Sequence, residues 1–219
     1  MKFYQSVTTD IVIFTIEDGQ LKVLLIKRAT EPFKDQWALP GGFLFNKEDP
    51  DKAAARILQN KAGIKDVYLE QLYTFPGSGR DPRGNIITIA YFALLPTDKI
   101  KIFKTKGTQT PTFHTLRKLP NLAFDHREIV KYALKRLQSK LEYTNVVYSL
   151  LPQYFTFNQL QKTYEIILNK KLDKRNFRKK FSLLGLIKNT NKVLKGERQR
   201  PAKFYRFISR KPANLKKFF

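Results

Sequence analysis

The chain has 219 residues, a hydrophobic fraction of 42% and a formal net charge of +24. Its length suits two domains, and its hydrophobic content excludes a disordered chain. It contains no cysteine and only two histidines, which excludes disulfides and thiolate zinc sites and gives little support to a histidine-based metal site. Because there is no apolar run of about 18 residues and no signal-peptide core, we expect a cytoplasmic protein with no membrane partner.

The N-terminal half combines strands with one helix. β-branched and apolar runs predict four strands, over residues 7–16, 21–27, 67–75 and 86–95. Good helix formers predict a helix over 53–62, with Asp49 as its N-cap, Pro50 in its first turn and Gly63 as its stop. This mixed order of elements indicates an α/β fold.

The stretch from Trp37 to Ile64 carries the most informative motif of the chain. Counting from Gly42, five residues lead to Glu48 and seven more lead to Arg56. This spacing resembles the Nudix box, a loop–helix–loop that binds a metal and cleaves a pyrophosphate. The family places three further glutamates after the arginine, where this chain has Ile57, Asn60 and Lys61. The frame of the motif is therefore present without the groups that carry its chemistry.

The loss of these glutamates bears directly on catalysis. Mg²⁺ is a hard cation that takes carboxylate and phosphate oxygens as ligands. Ile57 offers no oxygen and cannot act as a base, and Lys61 places a positive charge near the metal position. We therefore predict a protein that is not an enzyme and that holds no metal or other cofactor. The alternative is an active hydrolase in which carboxylates such as Glu70 or Glu128 substitute for the missing groups.

Candidate ligand-binding residues surround the same motif. The loop with Arg80 and Arg83 suits a diphosphate, because a guanidinium bonds two phosphate oxygens at once. Lys61 would neutralise a bound phosphate as a metal does, which gives binding without turnover. The full candidate set, with its charges and stacking surfaces, is Arg28, Trp37, Gly42, Phe43, Lys61, Arg80 and Arg83. Simpler alternatives are a structural turn in which Asp81 pairs with an arginine, core packing of Trp37 and a solvated Lys61.

A predicted helix leads into a strongly basic C-terminal third. Asp125 and Glu128 form a capping-box-like start, and apolar residues recur at helical spacing as far as Leu141. Residues 143–219 hold 19 Lys and Arg against 3 Asp and Glu, which indicates a module that binds a polyanion. We expect two domains, residues 1–140 and residues 141–219.

The order of elements in the C-terminal third predicts a winged helix. A short helix capped by Thr144 precedes a second helix, which starts with a capping box formed by Thr156 and Gln159. A third helix follows Asp173, and its buried stripe consists of Phe177, Phe181 and Leu184. Two strands, over 186–192 and 204–208, then pair as a hairpin with a basic tip, over 195–201, as the wing.

Basic residues gather on the third helix and the wing. An anchored helix with long donors on its free face can reach base edges and phosphates in duplex DNA. The candidates on these two elements are Lys174, Arg175, Arg178, Lys179, Arg198 and Arg200. Because the basic helix, the basic wing and the regional charge coincide, we predict binding to nucleic acid.

A Nudix-like domain followed by a winged helix resembles the Nudix-related transcriptional regulators of NAD metabolism, the NrtR family. Segments that resemble the family's ligand-domain motifs, recognition helix and wing are 79–84, 122–128, 172–180 and 200–207. The resemblance adds Asn176 and Lys203 to the candidate DNA contacts. It implies an α/β/α Nudix sandwich followed by a small winged helix-turn-helix domain.

The resemblance also implies a function. Members of the family are dimeric repressors that bind palindromic operator DNA, and ADP-ribose or a related NAD metabolite is a common effector. Relatives of this architecture also control sugar catabolism, so an arabinose-type sugar is the alternative effector. An RNA-binding protein with a relic Nudix fold is a further alternative, which a preference for palindromic duplex over single strands would exclude.

Overall fold

The computed structural model describes residues 6–96, 111–194 and 202–215. The described chain divides into two compact units. The first holds nearly all of the chain as far as Leu134, and the second holds the chain from Lys135 together with the turn at 16–20 and Pro96. Within the described ranges, no helix is long and apolar enough to cross a membrane.

A mixed β-sheet forms the framework of the first unit. Its strands are β1 (Ser6–Glu17), β2 (Gln20–Lys27), β3 (Trp37–Ala38), β4 (Gly41–Phe43), β5 (Tyr68–Phe75), β6 (Ile86–Leu94) and β7 (Thr112–Thr115). The main path runs β3-β2-β1-β6-β5, and β4 and β7 add to β1 and β2. Strand β1 lies parallel to β6 and antiparallel to β4. Both β1 and β6 are almost fully buried, as their continuous apolar sequences predict.

Helix α1 (Pro50–Ala62) is the helix of the Nudix-like motif. Asp49 occupies the predicted N-cap position without a side-chain capping bond, and its carboxylate pairs with Lys52 at 3.0 Å. Gly63 ends the helix in the left-handed conformation, with φ of 66°, which a glycine adopts without strain. Residues of the buried face, Ile57 and Leu58 among them, join the core formed with β1, β2 and β6.

Helix α2 (His126–Tyr143) is the longest helix of the described chain. Its apolar residues recur at helical spacing, and Val130, Leu137 and Leu141 are buried. The residues of α2 as far as Leu134 belong to the first unit, and those that follow belong to the second.

The second unit has the elements of a winged helix. They are β8 (Phe155–Thr156), α3 (Phe157–Leu168), α4 (Lys174–Leu183), β9 (Ile187–Leu194) and β10 (Ala202–Phe207), and the three strands pair in the order β8-β10-β9. The predicted short helix after Thr144 is instead a single 3₁₀ turn, Val146–Ser149, with Asn145 at its N-cap. The Thr144 hydroxyl donates to the Lys140 carbonyl at 2.7 Å, so it serves the end of α2 as well as the turn.

Aromatic side chains fill the core of the second unit. Phe177 and Phe181 stack at 5.6 Å between ring centroids, and Phe157 and Tyr164 meet both of them edge to face. The predicted capping box of α3 is confirmed, with bonds in both directions between Thr156 and Gln159. Leu184, which we predicted in the buried stripe of α4, is only partly buried because the helix ends one residue earlier.

Candidate functional site

The loop between β4 and α1 is held by the ion pair of Glu48 and Arg56. Nε and Nη2 of Arg56 each donate to one Glu48 oxygen at 2.7 Å, and the amide of Phe45 also donates to Glu48 at 2.9 Å. The bonds from Arg56 lower the pKa of Glu48 to about 2, so this carboxylate is ionised at neutral pH. The glutamate that the motif retains is therefore engaged in holding the loop.

The positions of the missing glutamates have different surroundings. Ile57 is 2% exposed and belongs to the core, and a Cβ at Gly42 would lie 3.7 Å from its Cδ1 atom. Asn60 is exposed, and Lys61 is partly buried. In the described part of the chain, no three His, Cys, Asp or Glu residues are grouped so that they could hold a metal. These residues therefore do not fit the divalent metal that the Nudix fold implies.

A cavity of about 280 Å³ opens beside this motif. Six of the seven predicted ligand residues line it, namely Arg28, Gly42, Phe43, Lys61, Arg80 and Arg83. Trp37 is not among the lining residues. Its ring packs against the ring of His114, 4.4 Å away, and beneath the ammonium of Lys27. The structure thus brings together all of the predicted cations but not the predicted indole.

Arg80 is held between two carboxylates. Its Nε and Nη2 atoms donate to Asp125 at 2.9 and 2.7 Å, and Nη2 also donates to Asp10 at 3.2 Å. The Arg80 side chain is only 5% exposed. This arginine therefore organises the cavity wall, and its predicted bond to a diphosphate remains a prediction.

Two other arginines lie over the ring of Phe124. The guanidinium carbon of Arg28 is 4.7 Å from the ring centroid, and that of Arg83 is 5.6 Å from it. Arg83 also pairs with Asp81 at 2.6 Å and lies over Phe43 at 5.2 Å. A surface of guanidinium groups on aromatic rings can hold both negative charge and a flat heterocycle. We did not single out Phe124 in the sequence, although it lies in the segment 122–128.

His126 helps to position Leu39, two residues before Gly41. Its Nδ1 atom accepts a hydrogen bond from the amide of Leu39 at 2.9 Å, and its Nε2 atom is 3.6 Å from Asp10. Burial lowers the pKa of His126, so the imidazole is neutral near pH 7. On the same wall, a Cβ at Gly41 would collide with the Asp10 carboxylate, so this position requires a glycine.

In the second unit, the exposed face of helix α4 is basic. The side chain of Asp173 caps the helix by accepting from the amide of Asn176, and Phe177 and Phe181 anchor the buried face. The exposed candidates are Lys174, Arg175, Asn176, Arg178 and Lys179. Lys203 is exposed on β10, whereas Arg198 and Arg200 lie outside the described residues.

A groove of about 460 Å³ joins the basic helix to the hairpin. Lys174 and Arg178 of α4 and Lys203 of β10 line it, together with Thr156 and Phe157 at the start of α3. The guanidinium carbon of Arg178 is 5.2 Å from the centroid of the Phe157 ring. Because helix N-termini and long cations both favour phosphate, the groove suits the backbone of a nucleic acid.

Comparison with known families defines the class of the protein. The NUDIX domain family matches residues 7–133, and the NrtR DNA-binding winged helix domain matches residues 147–207. The chain therefore combines a Nudix domain with a DNA-binding winged helix, which confirms the predicted fold class.

Individual relatives identify the family. The chain is 40% identical over 204 residues to an ADPR responsive transcriptional repressor NtrR of Acinetobacter baylyi. The aligned region covers 91% of this chain and 81% of that protein. The structure of Shewanella oneidensis NrtR complexed with a 27mer DNA matches with a TM-score of 0.81 and 33% identity, over 92% of this chain and 93% of that one. The protein belongs to the NrtR family of Nudix-related transcriptional regulators.

Two further relatives match the first unit. The Nudix domain of the Shewanella oneidensis regulator, solved with ADP ribose, matches 62% of this chain and 90% of its own with a TM-score of 0.54 and 34% identity. An ADP-ribose pyrophosphatase of Methanocaldococcus jannaschii is 36% identical over 110 residues, which is 50% of this chain and 64% of that enzyme. The chain thus resembles both the Nudix domain of a regulator, solved with ADP ribose, and an ADP-ribose pyrophosphatase.

Proposed function

We propose that this protein is a repressor that binds palindromic operator DNA as a homodimer and releases it on binding ADP-ribose or a related diphosphate. Residues 1–140 form the ligand-sensing domain, and residues 141–219 form the DNA-binding domain. The observation that carries the proposal is a cationic cavity built on a Nudix motif without its metal carboxylates. Relatives named for the response to ADP-ribose and for binding a 27mer DNA support both halves.

The charge of the cavity favours a diphosphate over a neutral sugar. Five cationic side chains line it, namely Lys27, Arg28, Lys61, Arg80 and Arg83. Cationic donors form their strongest hydrogen bonds with anionic oxygens. Arg80 and Arg83 already pair with carboxylates, but the cavity keeps an excess of positive charge that a neutral sugar would not neutralise.

The same residues favour binding without hydrolysis. In this proposal Ile57 replaces a catalytic carboxylate, and the retained Glu48 is occupied by Arg56. The pyrophosphatase of Methanocaldococcus jannaschii supports the ligand class. The regulator would retain recognition of the ligand and lack the chemistry.

The DNA half of the proposal rests on α4 and the groove beside it. Lys174 and Arg178 extend from the exposed face of the helix, and Lys203 faces the same groove from the hairpin. Contacts of this kind fix a helix in the major groove and hold the phosphates on either side. In a dimer, the two copies of α4 would read the two halves of a palindrome.

Helix α2 is the proposed connection between ligand and DNA. Asp125, which pairs with Arg80 at the cavity wall, is followed directly by α2, and the helix continues into the second unit. A ligand changes DNA affinity only if it favours one arrangement of the dimer. An anion beside Arg80 would alter the restraint on the start of α2, and with it the spacing of the two α4 helices.

The test is an operator titration with the full chain. The operator is first selected by the protein from random duplex DNA, and binding is then measured with ADP-ribose, with L-arabinose and without ligand. ADP-ribose should weaken operator binding by a coupling of about 1–3 kcal/mol, whereas arabinose should have no effect. If arabinose shifts the curve and ADP-ribose does not, the protein is a sugar sensor and the proposed effector is wrong.

A further inference from the structure

We infer that the cavity beside the Nudix motif binds its diphosphate without a divalent metal, and that the ammonium of Lys61 substitutes for the metal. The inference rests on the proposed function and specifies the chemistry of its ligand site. The Nudix fold implies a divalent metal, but this chain has Ile57, Asn60 and Lys61 where the Nudix motif has glutamates.

Helix α1 carries both Ile57 and Lys61. Ile57 and Lys61 are four residues apart, so they lie on one face of the helix, a turn apart. Ile57 packs into the core behind Gly42, and Lys61 lines the cavity together with Gly42. The apolar residue thus closes the wall, and the lysine supplies the cation. Within the described residues, no carboxylate lies within ion-pair distance of Lys61, so its charge is available to a ligand.

The cavity as a whole has a net positive charge. Five cationic side chains and two carboxylates line it, and a third carboxylate, Asp125, pairs with Arg80. His126 is neutral because its burial lowers its pKa. The balance is two positive charges. A diphosphate esterified at both ends carries one negative charge on the oxygens of each phosphate group, so the cavity neutralises it without an added ion.

The charge of this face of α1 also decides whether a metal can bind. The Nudix motif places glutamates on this face of the helix, and carboxylates attract a divalent cation. Here the equivalent face of α1 is cationic at Lys61, and like charges repel. The positive charge of Lys61 would therefore repel a divalent cation. The hard oxygen ligands that such a cation requires are not grouped within the described chain.

A purely structural role for Lys61 makes a different prediction. Lys61 lies in the last turn of α1, where a cation is favourable to the helix dipole. If Lys61 has only this structural role, its replacement would lower the stability of the protein without selectively weakening ligand binding. Lys65 provides a matched control, because it is an exposed lysine just beyond the same helix and does not line the cavity.

The experiment is calorimetric titration of the full chain with ADP-ribose, in EDTA and in Mg²⁺. The parent should bind with the same affinity in both buffers. Lys61→Gln should weaken binding at least about tenfold in both, since it removes one charge-assisted contact. Lys61→Glu should show no binding in EDTA and partial recovery in Mg²⁺, because a carboxylate is returned to the metal position. Lys65→Gln should match the parent.

The outcomes separate this inference from the proposed function. If the parent binds only with Mg²⁺, the metal-free site is wrong while the proposed effector stands. Unchanged affinity in Lys61→Gln, with or without a lower melting temperature, also overturns the role of Lys61. If the parent binds no ADP-ribose in either buffer, both the effector and the inference are wrong.

Discussion

Arg80 and Asp125 lie 45 residues apart in the sequence and form a two-point ion pair, with N–O distances of 2.7 and 2.9 Å. Asp10 shares the same guanidinium at 3.2 Å. Because this cluster is largely buried, Arg80 cannot be removed without leaving two carboxylates near each other. Loss of ligand response in Arg80→Ala would therefore not by itself identify a ligand contact.

We expect Arg80→Ala to destabilise the first unit by roughly 3 kcal/mol, since breaking a buried ion pair leaves uncompensated charge. Lys131→Ala is the control, because Lys131 pairs with Glu128 while both side chains are about 60% exposed. An exposed pair contributes about 0–1 kcal/mol. Urea unfolding measures both variants, and equal stability in Arg80→Ala and the parent would contradict the structural role of Arg80.

Arg178→Ala should weaken operator binding strongly, because Arg178 is exposed on α4 and lines the basic groove. Each phosphate contact should contribute about 0.9 to the slope of log affinity against log salt. Lys162→Ala removes an exposed charge from α3, outside the groove, and should bind as the parent does. Titration at several salt concentrations measures affinity and slope together. If Arg178→Ala and a double variant of Lys174 and Lys179 both bind like the parent, the assigned face is wrong.

Hydrolysis of ADP-ribose should be absent or vestigial. Ile57 cannot act as a base, and the described chain shows no group of ligands for a metal. The pure protein is incubated with ADP-ribose and with Mg²⁺ or Mn²⁺, and product is followed by chromatography. Turnover of about 1 s⁻¹ or more, the low end of ordinary enzymes, would establish substitute carboxylates and the active-hydrolase alternative.

Stability should fall as the pH falls from about 7 to 5, because of His126. Burial lowers the pKa of His126 below its ordinary 6.5, and Asp10 and Asp125 only partly oppose the shift. The unfolded chain therefore binds the proton more tightly than the folded protein. The stability is fully present above pH 6.5 and is lost as the pH falls below that value.

The measurement is the melting temperature of the parent and of His126→Gln across this range. The variant should show a flatter dependence on pH, since the group that titrates is gone. Burial also lowers the pKa of His114, so His114→Gln is measured alongside. An unchanged slope in His126→Gln would show that other groups cause the loss of stability.

The larger elements of the fold could be predicted from local patterns. The long buried strands, α1 with its glycine stop and α3 with its capping box all carry signals within a few residues. Strand β7 pairs residues 112–115 with residues 22–25 of β2, and four residues of mixed polarity give no local signal of that partner. The very short strands β3, β4 and β8 exist only through such pairing.

The candidate site was predictable in composition but not in arrangement. Four of the five cations that line the cavity follow from the motif and its nearby loops, whereas Lys27 at the end of β2 was not predicted. The hydrogen bond that the amide of Leu39 donates to Nδ1 of His126 spans 87 residues, and no spacing rule reveals it. Phe124 has a left-handed φ of 54°, which is rare for an aromatic residue and which fixes the ring that the arginines cover. Tertiary contacts of this kind decide which charged side chains remain available to bind a ligand in the cavity.

Ile57 also limits what substitution can restore at this site. Its side chain fills the core of the first unit, so Ile57→Glu would bury a charge among apolar neighbours, which strongly destabilises a fold. A variant given the glutamates of the Nudix motif at all three positions would therefore lose folded protein before it gained any chemistry.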